Sequence, residues 1–251
     1  VIAVEAAGRL VRVDRRGRRH TLDTGVEARE AIPARLFGRR GVLLVQRGMQ
    51  VRFYEPARGR MREIYSFYSS TEQAGLALAD VDRDRRPDIF CGNYWIRSPA
   101  RFDLPWRLFA IRLWSDGPLA SVAATAWSEP TGLVAAQAAL PNARFARFAP
   151  SAGPAELWSE TRLEAPGGLD EPATVRLADL NLDGREDVVV AERSGRGRII
   201  IFWSGAEPQV VARTTGVVAA WPVDWNRDGR PDLVVVEPAA VSWWEIIPRT
   251  R

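Results

Sequence analysis

One nine-residue pattern occurs three times in this chain and limits what it can fold into. It reads Asp80-Val-Asp82-Arg-Asp84-Arg-Arg86-Pro-Asp88, Asp179-Leu-Asn181-Leu-Asp183-Gly-Arg185-Glu-Asp187 and Asp224-Trp-Asn226-Arg-Asp228-Gly-Arg230-Pro-Asp232. Oxygen-bearing side chains stand at positions 1, 3, 5 and 9 each time. An apolar β-type run follows each loop: Ile89-Phe90-Cys91, Val188-Val189-Val190 and Leu233-Val234-Val235-Val236. The chain is therefore built from repeats, and each repeat joins an acidic turn to a buried strand.

The chemistry of the loop points to a hard cation. Ca²⁺ takes six to eight oxygen ligands at roughly 2.3–2.6 Å, and alternate carboxylates on a curled backbone can converge on one ion. The predicted ligands are Asp80, Asp82, Asp84, Arg86 and Asp88; Asp179, Asn181, Asp183, Arg185 and Asp187; and Asp224, Asn226, Asp228, Arg230 and Asp232. The arginines contribute only their backbone carbonyls. Gly184 and Gly229 suit the sharp bend at position 6, because glycine tolerates positive φ. The first loop has Arg85 there, with Arg83 and Arg86 beside it, so two calcium sites are expected and the third is open.

An EF-hand would need Glu at position 12 and flanking helices, whereas Cys91, Val190 or Val235 stands there and strands follow. Zinc fits poorly, since the chain has one His and one Cys. The remaining alternative is a set of Asp/Asn turns that cap strands and hold no ion. Three loops with one ligand spacing favour the metal.

Spacing sets the architecture. The second and third loops start 45 residues apart, and the first and second 99 apart, which leaves room for a repeat without an acidic loop. Units of about 45 residues with four strands each are what a β-propeller requires. The clearest unit has strands at 174–180, 187–192, 198–203 and 209–213, with Gly and Pro at the turns. Six antiparallel blades are expected near 1–28, 32–70, 74–118, 121–168, 172–215 and 217–251, as one all-β domain, with a seventh blade open. The first unit starts at what should be its second strand, and the last stops after its third.

Composition adds exclusions. No segment approaches the roughly 20 apolar residues of a membrane span, so no membrane insertion is expected. The formal net charge is +4, and every basic residue is arginine. The run Arg12, Arg15, Arg16, Arg18 and Arg19 could attract an acidic polymer, but a solvated hairpin around Gly17 accounts for it, and no nucleic-acid partner is expected. A single Cys forms no internal disulfide, and oligomeric state is not readable. The sequence opens on an apolar run with no visible leader, as a trimmed fragment would.

The pattern Asp-x-[Asp/Asn]-x-Asp-Gly-x-x-Asp followed by an apolar strand resembles the FG-GAP/VCBS repeat. That repeat builds the calcium-bearing propellers of integrin α subunits and many bacterial exported proteins. The resemblance implies calcium loops between the first and second strands of a blade, ligand recognition on the opposite face, and an extracytoplasmic address.

With strands at 88–94 and 108–114, residues 95–106 form a long connection, which the resemblance places on the face opposite the calcium loops. Asn93, Tyr94, Trp95, Arg97, Arg101 and Trp106 are the candidate ligand residues, since exposed aromatics beside Arg and Asn suit a glycan or a protein partner. Alternatively both tryptophans fold inward and pin the loop. Glu72, Gln73, Glu171, Glu192, Arg193 and Glu237 would share that face.

No catalytic residue is assigned. His20 has no obvious partner, and Cys91 lies on an apolar strand. A binding or adhesion module is the expected function. Alternatives are a calcium-dependent polysaccharide-lyase-like enzyme, with Tyr94 and Arg97 or Arg101 as its cluster, and a spacer propeller in a larger exported protein.

Overall fold

A computed structural model describes residues 2–5, 7–14, 16–47, 50–67, 75–111, 114, 122–127, 132–138, 140–151, 153, 156, 158–193 and 196–247. Glu72 and Gln73 lie outside them. The regular structure is β-strand throughout, in six antiparallel sheets formed in chain order. The first sheet holds β1 (Ile2–Glu5), β2 (Arg9–Val13) and β3 (Arg19–Thr24). The second holds β4 (Ala28–Leu36), β5 (Arg39–Gln46), β6 (Gln50–Glu55) and β7 (Arg60–Ser66). The third holds β8 (Ala77–Ala79), β9 (Asp88–Cys91), β10 (Tyr94–Arg97) and β11 (Arg107–Ala110). The fourth holds β12 (Val122–Trp127), β13 (Gly132–Gln137), β14 (Phe145–Pro150) and β15 (Trp158–Arg162). The fifth holds β16 (Pro172–Ala178), β17 (Asp187–Glu192), β18 (Arg198–Phe202) and β19 (Gln209–Arg213). The sixth holds β20 (Ala219–Val223), β21 (Asp232–Glu237) and β22 (Ala240–Trp244).

The blade count corrects the expectation of six, with a seventh open: fewer than six sheets are complete four-stranded blades. Four sheets are complete, and the first and sixth have three strands each among the described residues. The chain also divides into two compact units, residues 1–119 with 153–157 and residues 120–152 with 158–251.

Short turns impose the meander within each sheet. Phe37 (φ 50°) and Gly38 (φ 76°) join β4 to β5. Positive φ at both central residues is what a two-residue hairpin turn with the twist of its strands requires. Gly92 (φ 57°) and Asn93 join β9 to β10 in the same compact way.

In the first unit, Leu10 of β2 packs with Leu44 and Tyr54 of the second sheet. The other face of that sheet, with Leu43, Val45, Val51 and Phe53, meets Ile89, Cys91 and Ile96 of the third. In the second unit, Val134, Ala136 and Phe145 of the fourth sheet pack on Val188, Val190 and Ile200 of the fifth. The fifth turns Val189, Ala191, Ile199 and Ile201 to Ala220, Leu233 and Val235 of the sixth. Successive strand residues point to opposite faces. A sheet covered on both sides therefore hides both faces of an inner strand, and all of β17 is buried.

Candidate metal centres

The three acidic loops connect β8 to β9, β16 to β17 and β20 to β21, which are the first and second strands of their sheets. Their backbones follow one path. Positions 4 and 6 are left-handed in each: Arg83 (φ 61°) and Arg85 (φ 66°), Leu182 (φ 60°) and Gly184 (φ 82°), Arg227 (φ 66°) and Gly229 (φ 87°). Arg85 thus accepts the bend that glycine makes elsewhere, at a strain on the order of 1–2 kcal/mol.

Side chains hold that path. Asp179 accepts the N–H groups of Asp183 (3.0 Å) and Gly184 (2.8 Å), and Asp80 accepts those of Asp84 (2.9 Å) and Arg85 (2.8 Å). Asp224 accepts that of Gly229 at 3.1 Å. The fifth-position aspartate accepts the N–H two residues on, from Arg86 (2.9 Å), Arg185 (2.9 Å) and Arg230 (2.8 Å). Asn181 and Asn226 accept the N–H groups of Asp183 (3.0 Å) and Asp228 (2.9 Å).

The ninth-position aspartate anchors each loop to its strand and is buried in all three: Asp88, Asp187 and Asp232 are at most 1 % exposed. Asp88 accepts N–H groups from Val81 (3.1 Å) and Ser98 (2.7 Å), and Asp187 from Leu180 (3.0 Å) and Ser204 (2.8 Å). Asp232 accepts from Trp225 at 3.1 Å through Oδ2, while its buried Oδ1 has no hydrogen-bond partner. Burial, opposed by those two N–H groups and reinforced by Asp82 and Asp84, pushes Asp88 up to about 7. Burial raises Asp187 in the same way, with Asp183 and Asp179 adding to it.

Asp80, Asp82 and Asp88 bring carboxylate oxygens within 4.8 Å of one another. Buried carboxylates pushed together are unfavourable until a cation joins them. The donor set, all oxygen, suits a hard ion such as Ca²⁺ and not zinc.

The ligand loop is placed differently from the expectation. The Gly92-Asn93 turn starts a short third strand, β10, so the long connection 98–106 runs between the third and fourth strands. That puts it beside the acidic loop, where Ser98 donates to Asp88, and not on the opposite face. A glycine-led two-residue pair between apolar runs was the sequence signal for this hairpin.

The six candidates are not brought together. Trp95 is 1 % exposed and stacks on Phe109 at 4.6 Å; Trp106 is 6 % exposed and packs edge-on against Phe37 and Phe102. Neither tryptophan presents a face to a ligand, which corrects their reading as exposed anchors. Phe102, missed in sequence, pins the loop to the second sheet beneath the Arg39 and Arg62 guanidiniums, 4.5 and 5.0 Å from its ring. Arg97 reaches Asp82, its Nε 2.5 Å from Oδ2, and Arg101 pairs with Asp103 on the surface at 3.2 Å. Asn93 and Tyr94 sit at the far end of β10, with Tyr94 tilted against Phe67 at 5.6 Å. Tyr94 and Arg97 are at opposite ends of that strand, so the lyase-like cluster is not assembled.

Among the described residues, a cavity of about 290 Å³ opens in the second unit, at the end of β16 away from its acidic loop. Phe145, Leu163 and Leu169 supply apolar lining, and Asn142, Arg144, Arg162 and Glu164 polar groups. No motif marks it, because its residues come from the β13–β14 connection, β14, β15 and the link to β16.

The fold and loops together define a β-propeller of four-stranded antiparallel blades that carry acidic inter-strand loops. Residues 179–235 match the FG-GAP-like repeat family and carry that repeat. A search of curated proteins by sequence returned no match. The structure is similar to that of a catalytically inactive histidine-to-alanine variant of virginiamycin B lyase from Staphylococcus aureus with quinupristin. That similarity has a TM-score of 0.59 at 13 % identity and covers 98 % of this chain and 80 % of the lyase chain.

Proposed function

We propose that this chain is a calcium-braced extracytoplasmic binding or adhesion module. The observation that carries the reading is the shared scaffold of the three acidic loops, each closed by a buried ninth-position aspartate. Asp179, Asn181, Asp183 and Asp187, with the Arg185 carbonyl, would hold one ion. Asp224, Asn226, Asp228 and Asp232, with the Arg230 carbonyl, would hold another. Calcium supplies positive charge among these carboxylates and locks each loop to its blade. Extracellular calcium modules bind with Kd near 10⁻⁴–10⁻³ M, which suits a calcium-rich compartment.

A glycan or protein ligand would be recognised away from the acidic loops. The cavity lined by Asn142, Arg144, Arg162 and Glu164 supports that, since it joins an apolar floor to a few polar groups. The likeness to the lyase, at 13 % identity, is one of fold alone. That enzyme is inactive as a histidine-to-alanine variant, whereas the one histidine here, His20, stands on an exposed hairpin 3.5 Å from Asp14. Cys91 is buried, which pushes its thiol up to about 12 and leaves it a poor nucleophile.

Thermal melting in EDTA, in millimolar calcium and in millimolar magnesium tests the bracing. A calcium-specific rise in Tm is expected, since an ion that binds only the folded state stabilises it. Asp183→Ala and Asp228→Ala should each remove part of the rise, and Asp84→Ala less. No rise, with an ion-free protein by elemental analysis, would remove the calcium reading. Screening calcium-loaded protein against glycan and protein panels, with Arg162→Ala as control, tests recognition at the cavity.

A further inference from the structure

We infer that the first acidic loop carries its own cation, the Arg97 guanidinium, and that the calcium sites are the second and third loops alone. This rests on the calcium reading for those two loops, while the arginine brace stands on separate observations.

Position 3 differs among the loops. It is Asp82 in the first and Asn181 and Asn226 in the others, so the first loop has four carboxylates at its ligand positions and each of the others three. The Asp82 side chain is only 8 % exposed, and neither of its oxygens has a well-aligned hydrogen bond. A buried carboxylate in that state needs an opposite charge beside it. Arg97 supplies it.

The residue facing each loop from the third strand differs in step. Register pairs Ile89 with Ile96, Val188 with Phe202 and Leu233 with Trp244. The next residues are Arg97, Trp203 and Glu245. An arginine stands there where position 3 is aspartate, and not where it is asparagine. Arg86 also pairs with Asp84, whereas at the same position neither Arg185 nor Arg230 forms an ion pair among the described residues. Counting the ligand carboxylates less the guanidiniums paired with them, the first loop carries −2 and each of the others −3.

The Arg97 guanidinium sets a fixed positive charge against Asp82 and cannot release its proton. The lower net negative charge and the engagement of Asp82 by Arg97 both lower affinity for a divalent cation. The first loop keeps the shape of a calcium loop and holds it without calcium, so one blade of the first unit stays braced when calcium falls.

Calcium stoichiometry, by titration calorimetry and elemental analysis after dialysis, tests this. Wild type is expected to bind two ions per chain. Arg97→Gln, and Asp82→Asn with Arg97→Gln, which copies position 3 of the second loop, should bind three. Three ions in wild type, or two in both variants, would overturn the proposal. A separate arm in EDTA compares Arg97→Gln, Asp82→Asn and the double variant by Tm. Each single variant should lose about 2–4 °C, and the double variant should lose less than their sum. Additive losses would show that no brace exists. If wild type binds no calcium, the calcium reading fails, and the EDTA cycle still decides the brace.

Discussion

The fifth and sixth sheets have nearly the same second strand, Asp-Val-Val-Val-Ala-Glu in β17 and Asp-Leu-Val-Val-Val-Glu in β21, behind nearly the same acidic loop. Their surroundings differ. Every residue of β17 is buried, whereas Val234, Val236 and Glu237 of β21 are half-buried. Ile199 and Ile201 of β18 are 0 % exposed, while the residues in their places on β22, Val241 and Trp243, are 71 and 46 % exposed. The fifth sheet has a packed sheet on each face. The sixth packs Leu233 and Val235 on the fifth and leaves Trp221 and Trp243 of its other face exposed. Burial of a blade strand is set by its neighbours and not by its hydrophobicity.

The polar ends of the strands show the same contrast. Glu192 of β17 and Arg198 of β18 are 0 and 2 % exposed and fully bonded. Arg198 donates to Glu192 through Nε (2.8 Å) and Nη2 (2.5 Å) and to the carbonyls of Pro166 and Gly168 (each 2.5 Å), while Glu192 also accepts the Asp170 N–H at 2.8 Å. Burial raises the Glu192 carboxyl, and the Arg198, Asp170 and backbone hydrogen bonds more than offset that, so it is held below the usual range. In the sixth sheet the corresponding residues are Glu237, half-buried, and Ala240.

Arg198→Ala should cost about 3–5 kcal/mol in chemical denaturation, because it leaves Glu192 buried and unpaired. Glu237→Gln should change stability by no more than about 0.5 kcal/mol. Comparable losses would break the contrast. Next, Ile199→Ala should cost about 2–5 kcal/mol through the cavity it leaves, and Val241→Ala no more than about 0.5 kcal/mol.

A smaller effect is expected with pH. Asp88 titrates near 7 in the folded chain, above the unfolded value of about 3.9, so the folded state binds the proton more tightly. In EDTA, stability should therefore rise as pH falls from 7.5 towards 5, and Asp88→Asn should flatten the rise. Acid should begin to unfold the chain only below the carboxylate range, where Glu192 at last takes a proton. The smallest effect concerns the open face. Trp243→Ser should leave Tm nearly unchanged, and light scattering should show less self-association. A large loss of Tm would mean that this face is covered in solution.

Much of the fold was readable because its signals are local. The strand 187–192 and its neighbours follow from alternation and turn residues, and the loop ligands from an oxygen every second residue. The long connection at 98–106 departs from the one that a continuous strand 88–94 implies, because Gly92-Asn93 turns the chain there, and one such hairpin moves a loop from one end of a blade to the other. Trp95 and Trp106 were ambiguous for another reason. An aromatic in a loop is equally suited to a ligand or a core, and only Phe37, Phe102 and Phe109 decide which.

The repeated loop dictates its own backbone, since the aspartates at positions 1 and 5 accept N–H groups two to five residues ahead, within reach of their own side chains. Period and pattern likewise dictate four-stranded units. Contacts between residues far apart in sequence settled the rest. Arg97 lies fifteen residues beyond Asp82 and meets it through the register of β9 and β10. Arg198 joins two carbonyls some thirty residues before it. The fate of two similar strands, one sealed and one half-open, depends on which sheets stand beside them, and a strand's own residues do not encode its neighbours.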